Sequence, residues 1–443
     1  MKRLLILLFI VIFAASSATP GRAADGALKL PPFKRVKLTN GMTLLLMEQH
    51  EVPIVSFNFI IKAGAVADPA GKEGLASLTA GLLRKGTRTR SAEQIANALD
   101  FIGGTLAADA NYDYSWGAAE FVKKDLDKGL DLLKEVLLNA TFPPDEVAKL
   151  LKQRADTIKA AKDNPSAVIG NYFNAYLYGA HPYARPAEGD ERSMAAITRD
   201  DVAKFYHSVY VPANAILAVV GDFNTAEMEQ RLTGQFSAWS GKAAAAASVP
   251  QPTAFTGKKL LLIDKPDATQ TFYQIGNVGI TRTNPDRVYI QVVNTLFGGR
   301  FTSMLNSALR IQSGLTYGAR SFFNQRLAAG PFAISTYTPN ESTEKAIDMT
   351  LDVLKRLHEK GITEDELKSA KSYLKGQFPP TIETSDQLAA LLAQLEFYGL
   401  DEGDVNNYYA RIDAMTMADA QRVIKQYFPL DNLVFVLIGK SSD

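Results

Sequence analysis

The chain has 443 residues, 47% of them hydrophobic and 21% charged, which suits a folded protein with large cores and excludes a disordered one. It has no cysteine and only four histidines (His50, His181, His207 and His358), so thiolate zinc sites, iron–sulfur clusters, thiol nucleophiles and disulfide scaffolds are all excluded. With 48 basic and 47 acidic residues the formal charge is +1, without the basic domain of a nucleic-acid binder.

Lys2 and Arg3 precede the apolar run Leu4 to Phe13, and small residues lead to Gly21-Arg22-Ala23. A charged start, an apolar middle and small residues before a cut predict a secretory signal peptide over 1–23. The run is about half the ~20 residues a membrane-spanning helix needs, and no later run reaches that length. Without cysteine, lipid attachment at the cut is excluded. The expected product is an exported, periplasmic protein with no membrane span.

Asn40-Gly41, between Arg35–Leu38 and Thr43–Met47, predicts a hairpin turn. Ile54–Lys62 reads as a long strand. Thr105–Ala110 and Tyr114–Phe121 alternate and read as a second hairpin. Helices are predicted at Leu126–Leu138, Pro144–Lys162 and Ser166–Leu177. Hairpin-paired strands with helices grouped between them predict an α+β fold, not a parallel doubly wound sheet.

Small residues and prolines cluster between Ser237 and Gly257, including five alanines from Ala243, and read as a linker over 239–257. The segments on either side repeat each other. Tyr210-Val211-Pro212 precedes the apolar strand Ala215–Gly221, and Tyr427-Phe428-Pro429 precedes Leu433–Gly439. Pro144-Asp145-Glu146 and Thr363-Glu364-Asp365-Glu366 each open an amphipathic helix, and Tyr178-Gly179 matches Tyr398-Gly399. The offsets all lie between 217 and 220 residues, so two homologous domains are expected, at 29–238 and 258–443.

The stretch Gly74-Leu75-Ala76-Ser77-Leu78-Thr79-Ala80-Gly81-Leu82-Leu83-Arg84-Lys85-Gly86-Thr87 resembles the active-site helix of the pitrilysin/insulinase zinc peptidase family. There an inverted motif, H-x-x-E-H, sits between a Gly-Leu-Ala-like start and a Lys-Gly-Thr end. Asn40-Gly41-Met42-Thr43 upstream agrees, as do Phe142-Pro143 and Asp163-Asn164-Pro165 downstream, and the resemblance extends over about residues 30 to 443. It implies a duplicated architecture, each domain an antiparallel sheet with helices packed on it. It also places the family's first histidine at Ser77, its glutamate base at Ala80, its second histidine at Gly81 and its third metal ligand at Thr157. None of these residues suits zinc, which needs two imidazoles on one helical face, an anionic third ligand and a carboxylate to activate water. Neither H-x-x-E-H nor H-E-x-x-H occurs anywhere in the chain. No metal and no cofactor are therefore expected in this chain.

Active members carry an arginine and a tyrosine in the second domain that reach across to the substrate. Leu309-Arg310-Ile311-Gln312-Ser313-Gly314-Leu315-Thr316-Tyr317 resembles that segment, after Phe297-Gly298-Gly299-Arg300-Phe301. The resemblance implies that Arg310 orients a peptide carbonyl or carboxylate and that Tyr317 donates to the scissile carbonyl oxygen. Without it, Arg310 reads as a solvated helix-end residue and Tyr317 as a core aromatic. The family also pairs an extended peptide with a sheet-edge strand, and here Thr105, Leu106, Ala107 and Ala108 occupy that place; an ordinary strand is the alternative. Many members work as unlike pairs. The function expected is that of a zinc-free subunit pairing with a zinc-bearing homologous subunit, enclosing a peptide substrate and lending it Arg310 and Tyr317. The alternative is a non-catalytic structural or peptide-binding envelope protein of the same fold.

Overall fold

A computed structural model describes residues 29–242 and 249–441; the expected signal peptide and part of the expected linker lie outside the described residues. The first sheet contains β1 (Lys34–Lys37), β2 (Thr43–Glu48), β3 (Ile54–Ile61), β4 (Thr105–Ala110), β5 (Ser115–Val122) and β6 (Ala215–Gly221), in the order β1-β2-β6-β3-β5-β4. The second contains β7 (Lys258–Asp264), β8 (Gln270–Val278), β9 (Arg320–Phe323), β10 (Pro331–Pro339) and β11 (Leu433–Gly439), in the order β7-β11-β8-β10-β9. Apart from β1, the two orders correspond strand for strand. In each sheet the strand last in the chain joins a parallel neighbour (β2 or β7) to an antiparallel one (β3 or β8). The fold is the α+β arrangement expected, two sheets with helices packed on them, but neither sheet is purely antiparallel as expected, because β2–β6 and β7–β11 run parallel. Asn40-Gly41 turns β1 into β2, with Gly41 at φ +95°.

The near-continuous apolar runs of β2, β3 and β6 are explained by burial on both faces. Successive side chains alternate between faces. Leu44, Leu46, Phe57, Phe59, Leu217 and Val219 enter one core, and Leu45, Met47, Ile60, Ile216, Ala218 and Val220 enter another. The first five helices are α1 (Leu75–Leu82), α2 (Ala92–Phe101), α3 (Leu126–Leu138), α4 (Pro144–Ala161) and α5 (Pro165–Tyr178). On the first face lies α3, whose Leu126, Leu130, Leu133 and Leu137 recur at the helical period. The second face is covered from the other half of the chain, by Leu388, Leu392 and Leu395 of the helix Ser385–Tyr398. In return, α5 covers the second sheet, with Ile169, Phe173 and Leu177 against Val434, Val436 and Ile438 of β11. Each half thus supplies the helix that closes the other half's core. Tyr178-Gly179 and Tyr398-Gly399, the matched pairs, are the ends of these two exchanged helices.

The halves are also joined through Asp113. Its carboxylate accepts a 2.6 Å hydrogen bond from the Tyr183 hydroxyl and a 2.9 Å bond from the Leu327 N–H. Arg326 stacks on the Tyr112 ring at 3.7 Å. Burial pushes the Asp113 carboxyl above its ordinary range.

The entry to α1 is fixed by two residues. Gly74 caps the helix at φ +90°, and a Cβ there would lie 2.6 Å from the Glu188 carbonyl oxygen. Buried Asp68 accepts 2.8 Å bonds from the N–H groups of Gly74 and Ala76, which would otherwise be unsatisfied at a helix start. Burial pushes Asp68 up to about 7, against the pull of these donors and of Arg185. Gly74→Ala is expected to cost about 1–3 kcal/mol from the left-handed backbone and the carbonyl clash. The urea midpoint, measured against Gly71→Ala, checks this; Gly71 also has positive φ, but a Cβ there meets nothing within 4 Å.

Candidate active site

The helix α1 carries three of the four positions where the resemblance places a zinc centre. Ser77 and Ala80 are buried. Ser77 donates its hydroxyl to the Asp109 carboxylate of β4 at 2.6 Å. Gly81 faces α4: a Cβ built on it would lie 3.4 Å from Leu150 Cδ2 and 3.8 Å from Arg154 Nη2. The Arg154 guanidinium lies 3.9 Å from Asp109. The space between α1 and α4 is therefore bordered by a serine–aspartate bond and an arginine. Thr157, one turn beyond Arg154, is exposed and donates 2.9 Å back to the Gln153 carbonyl of its own helix.

These residues do not fit zinc. The four positions offer two neutral hydroxyls, a methyl group and a hydrogen, and none of the imidazole, thiolate or carboxylate groups that bind zinc. Asp109, the one carboxylate against Ser77, faces a guanidinium, whose positive charge opposes a cation at that place. Among the described residues no three His, Asp or Glu side chains come together as a metal site could.

The strand β4 is the outermost of its sheet. Thr105 to Ala110 pair on one side only, with Glu120 to Ser115 of β5. Leu106 is buried against the core and Thr105 and Ala107 are exposed. An edge of this kind presents backbone N–H and C=O groups to an incoming strand.

The second half holds Arg310 and Tyr317 on one cleft of about 940 Å³. Arg310 sits on a widened helical turn, Ser307–Gln312, anchored by buried Leu309. Its guanidinium lies 4.6 Å from the centre of the Phe301 ring, and this stacking holds the side chain over the cleft. Tyr317 is 78% exposed, so it is not a core aromatic. It is presented by a tied-down turn. Buried Thr316 accepts from the Gly318 N–H at 3.2 Å and from the Thr336 hydroxyl of β10 at 3.1 Å. The cleft floor includes Gln274 of β8 and Tyr337 of β10, and α5 of the other half contributes Ser166 and Ile169. A cleft with an exposed phenol, a guanidinium held on an aromatic ring and sheet residues in its lining can bind peptide by directed hydrogen bonds.

The structure thus groups Arg310 with Tyr317, and Ser77 with Gly81 and α4. Thr157 is exposed and bonds within its own helix, and Ser77 is buried on Asp109. Arg154 and Asp109 were not anticipated from the sequence. Arg154 lies three residues before Thr157, on the same helical face, and that spacing is the signal that could have found it. Asp109 has no such signal, because its place beside Ser77 depends on a strand meeting a helix. Ser166 and Ile169 reach the cleft only through the exchange of α5 between halves. Among the described residues no helix is long and apolar enough to cross a membrane.

Residues 43–191 match the family model described as insulinase (peptidase family M16), and residues 196–374 match the one described as peptidase M16 inactive domain. A protein of Mycobacterium leprae named as an uncharacterized zinc protease is 28% identical over 411 residues, which cover 92% of each chain. The crystal structure of a peptidase M16 inactive domain from Pseudomonas fluorescens superposes with a TM-score of 0.87 at 26% identity, covering 93% of this chain and 98% of that one. A protease from Helicobacter pylori has the same fold, with a TM-score of 0.87 at 23% identity over 93% and 100% of the two chains. The chain belongs to peptidase family M16 and lacks that family's inverted histidine motif.

Proposed function

We propose that this chain is the zinc-free subunit of a periplasmic M16-type metallopeptidase. It pairs with a zinc-bearing homologue, encloses peptide between the two, and supplies Arg310 and Tyr317 to the partner's active site. One observation carries this reading: the two ends of the catalytic apparatus have diverged. The positions for metal and base hold Ser77, Ala80, Gly81 and Thr157, while Arg310 and Tyr317 keep their spacing and share an open cleft. Tyr317 is 78% exposed, and Arg310, held against Phe301, lines the same cleft, an arrangement that suits holding a substrate. Export to the periplasm is supported by the pattern of residues 1–23.

In the proposed chemistry the partner's metal would activate water and polarise the scissile carbonyl. Tyr317 donates its phenolic hydrogen to the carbonyl oxygen as negative charge develops there. Arg310 aligns the peptide through its in-plane N–H groups. The strand β4 offers its open edge to extended peptide.

Metal analysis tests the division of labour. This chain, purified alone in zinc-containing buffer, is expected to retain far less than one zinc per chain, and its complex about one zinc per pair. Stoichiometric zinc in this chain alone would refute the reading.

A further inference from the structure

The cleft that holds Arg310 and Tyr317 has a one-signed lining. Three arginines border it, Arg300, Arg310 and Arg320, and among the described residues no aspartate or glutamate does. Each guanidinium stands against an aromatic ring: Arg300 is 6.0 Å from the centre of Tyr373, Arg310 is 4.6 Å from Phe301, and Arg320 is 5.8 Å from Phe322. Stacking occupies a guanidinium face and leaves its edge, with five N–H donors, for a planar acceptor. Arg300 uses one of these donors, giving a 2.9 Å bond to the Ser369 hydroxyl. Its Nε is buried and has no hydrogen-bond partner among the described residues. With no exposed surface that Nε cannot itself meet a ligand, so recognition rests on the guanidinium charges that border the cleft. Walls of one charge sign also concentrate ligands of the opposite sign.

We propose that the cleft selects peptides by their carboxylates, binding acidic segments in preference to neutral or basic ones, with Arg300 and Arg320 as specificity-determining residues. The inference rests on reading the cleft as a peptide site and adds the substrate class. A carboxylate can come from Glu or Asp side chains or from a peptide's C-terminus, and the chemistry that recognises it is the same.

Direct binding to the full chain, without any partner, tests this. Four unlabelled, N-acetylated alanine-based peptides are compared by isothermal titration calorimetry: one carrying glutamates, its glutamine counterpart, and the C-terminal amides of both. The form with carboxylates is expected to bind about tenfold or more tightly than the fully neutral one, the worth of one charge-assisted contact. The gap should narrow as salt rises. Dependence on Glu→Gln assigns the arginines to side chains, and dependence on amidation assigns them to the chain end; either supports the proposal. The variants Arg300→Gln and Arg320→Gln should each narrow the gap several-fold, and Arg320→Lys should restore part of it. Equal affinity for all four peptides overturns the proposal, and so does a gap unchanged in the Arg300→Gln/Arg320→Gln double variant. Because no zinc-bearing partner is present, an indifferent result here leaves the subunit reading standing, and failure of a partner to gain activity leaves this binding result standing.

Discussion

Tyr317→Phe is expected to lower kcat of the assembled peptidase about 10²- to 10³-fold while changing KM for peptide only a few-fold. The variant removes one hydroxyl and nothing else. A donor aimed at a developing oxyanion contributes about 2.7–4 kcal/mol to the transition state and far less to the ground state, so its loss appears in kcat. Folding should be untouched, because the side chain is 78% exposed and its turn is held by Thr316 and Thr336. Arg310→Ala is expected to act on both constants, since the role proposed for the guanidinium is to hold peptide before and during cleavage. Steady-state kinetics of the reconstituted pair separates the two. A Tyr317→Phe pair with unaltered kcat would remove the phenol from the chemistry.

Asp404→Ala is the substitution with the largest expected effect on stability. Asp404 is buried, and three guanidiniums converge on its carboxylate: Arg287, Arg282 at 3.3 Å and Arg411 at 3.5 Å. Arg287 is itself buried, and that burial, with the like charges of Arg282 and Arg411, pulls its guanidinium down to about 10. Removing the one carboxylate leaves a buried cation among like charges. Breaking a buried pair from one side costs about 3–5 kcal/mol. Arg411→Ala, at the exposed rim of the same cluster, should cost less than about 1 kcal/mol. Urea unfolding of the two variants side by side measures the contrast.

Local structure was legible wherever periodicity and turn chemistry act within a few residues. The hairpin at Asn40-Gly41, the strand β3 and the helix Leu126–Leu138 follow from alternation, from the Asn-Gly turn and from the 3.6-residue stripe of leucines. The duplication was legible from paired landmarks 217 to 220 residues apart. A further pair went unread: Thr198 with Asp201 and Thr416 with Asp419, each forming a capping box 218 residues from the other. The partner of each buried face was not legible. Ile169, Phe173 and Leu177 announce an apolar stripe but not which sheet receives it, and the answer is the other half's.

The candidate site divides along the same line. That Ser77, Ala80, Gly81 and Thr157 stand where the resemblance places metal ligands and base is a matter of residue identity, visible in the sequence itself. The arrangement that stands there, Ser77 on Asp109 with Arg154 beside Gly81, brings together α1, β4 and α4, and no spacing in the sequence encodes it. The exposure of Tyr317 is likewise a tertiary fact: the same residue, read in isolation, passes for a core aromatic.

The central claim, that this chain completes an active site it cannot form alone, is tested most directly by complementation. Peptide cleavage by the purified zinc-bearing homologue is measured alone and after titration with this chain. The account predicts little cleavage by either chain alone, a rise that saturates near one to one, and loss of that rise with the Arg310→Ala/Tyr317→Phe variant. A homologue fully active by itself, indifferent to both the native chain and the double variant, would contradict it.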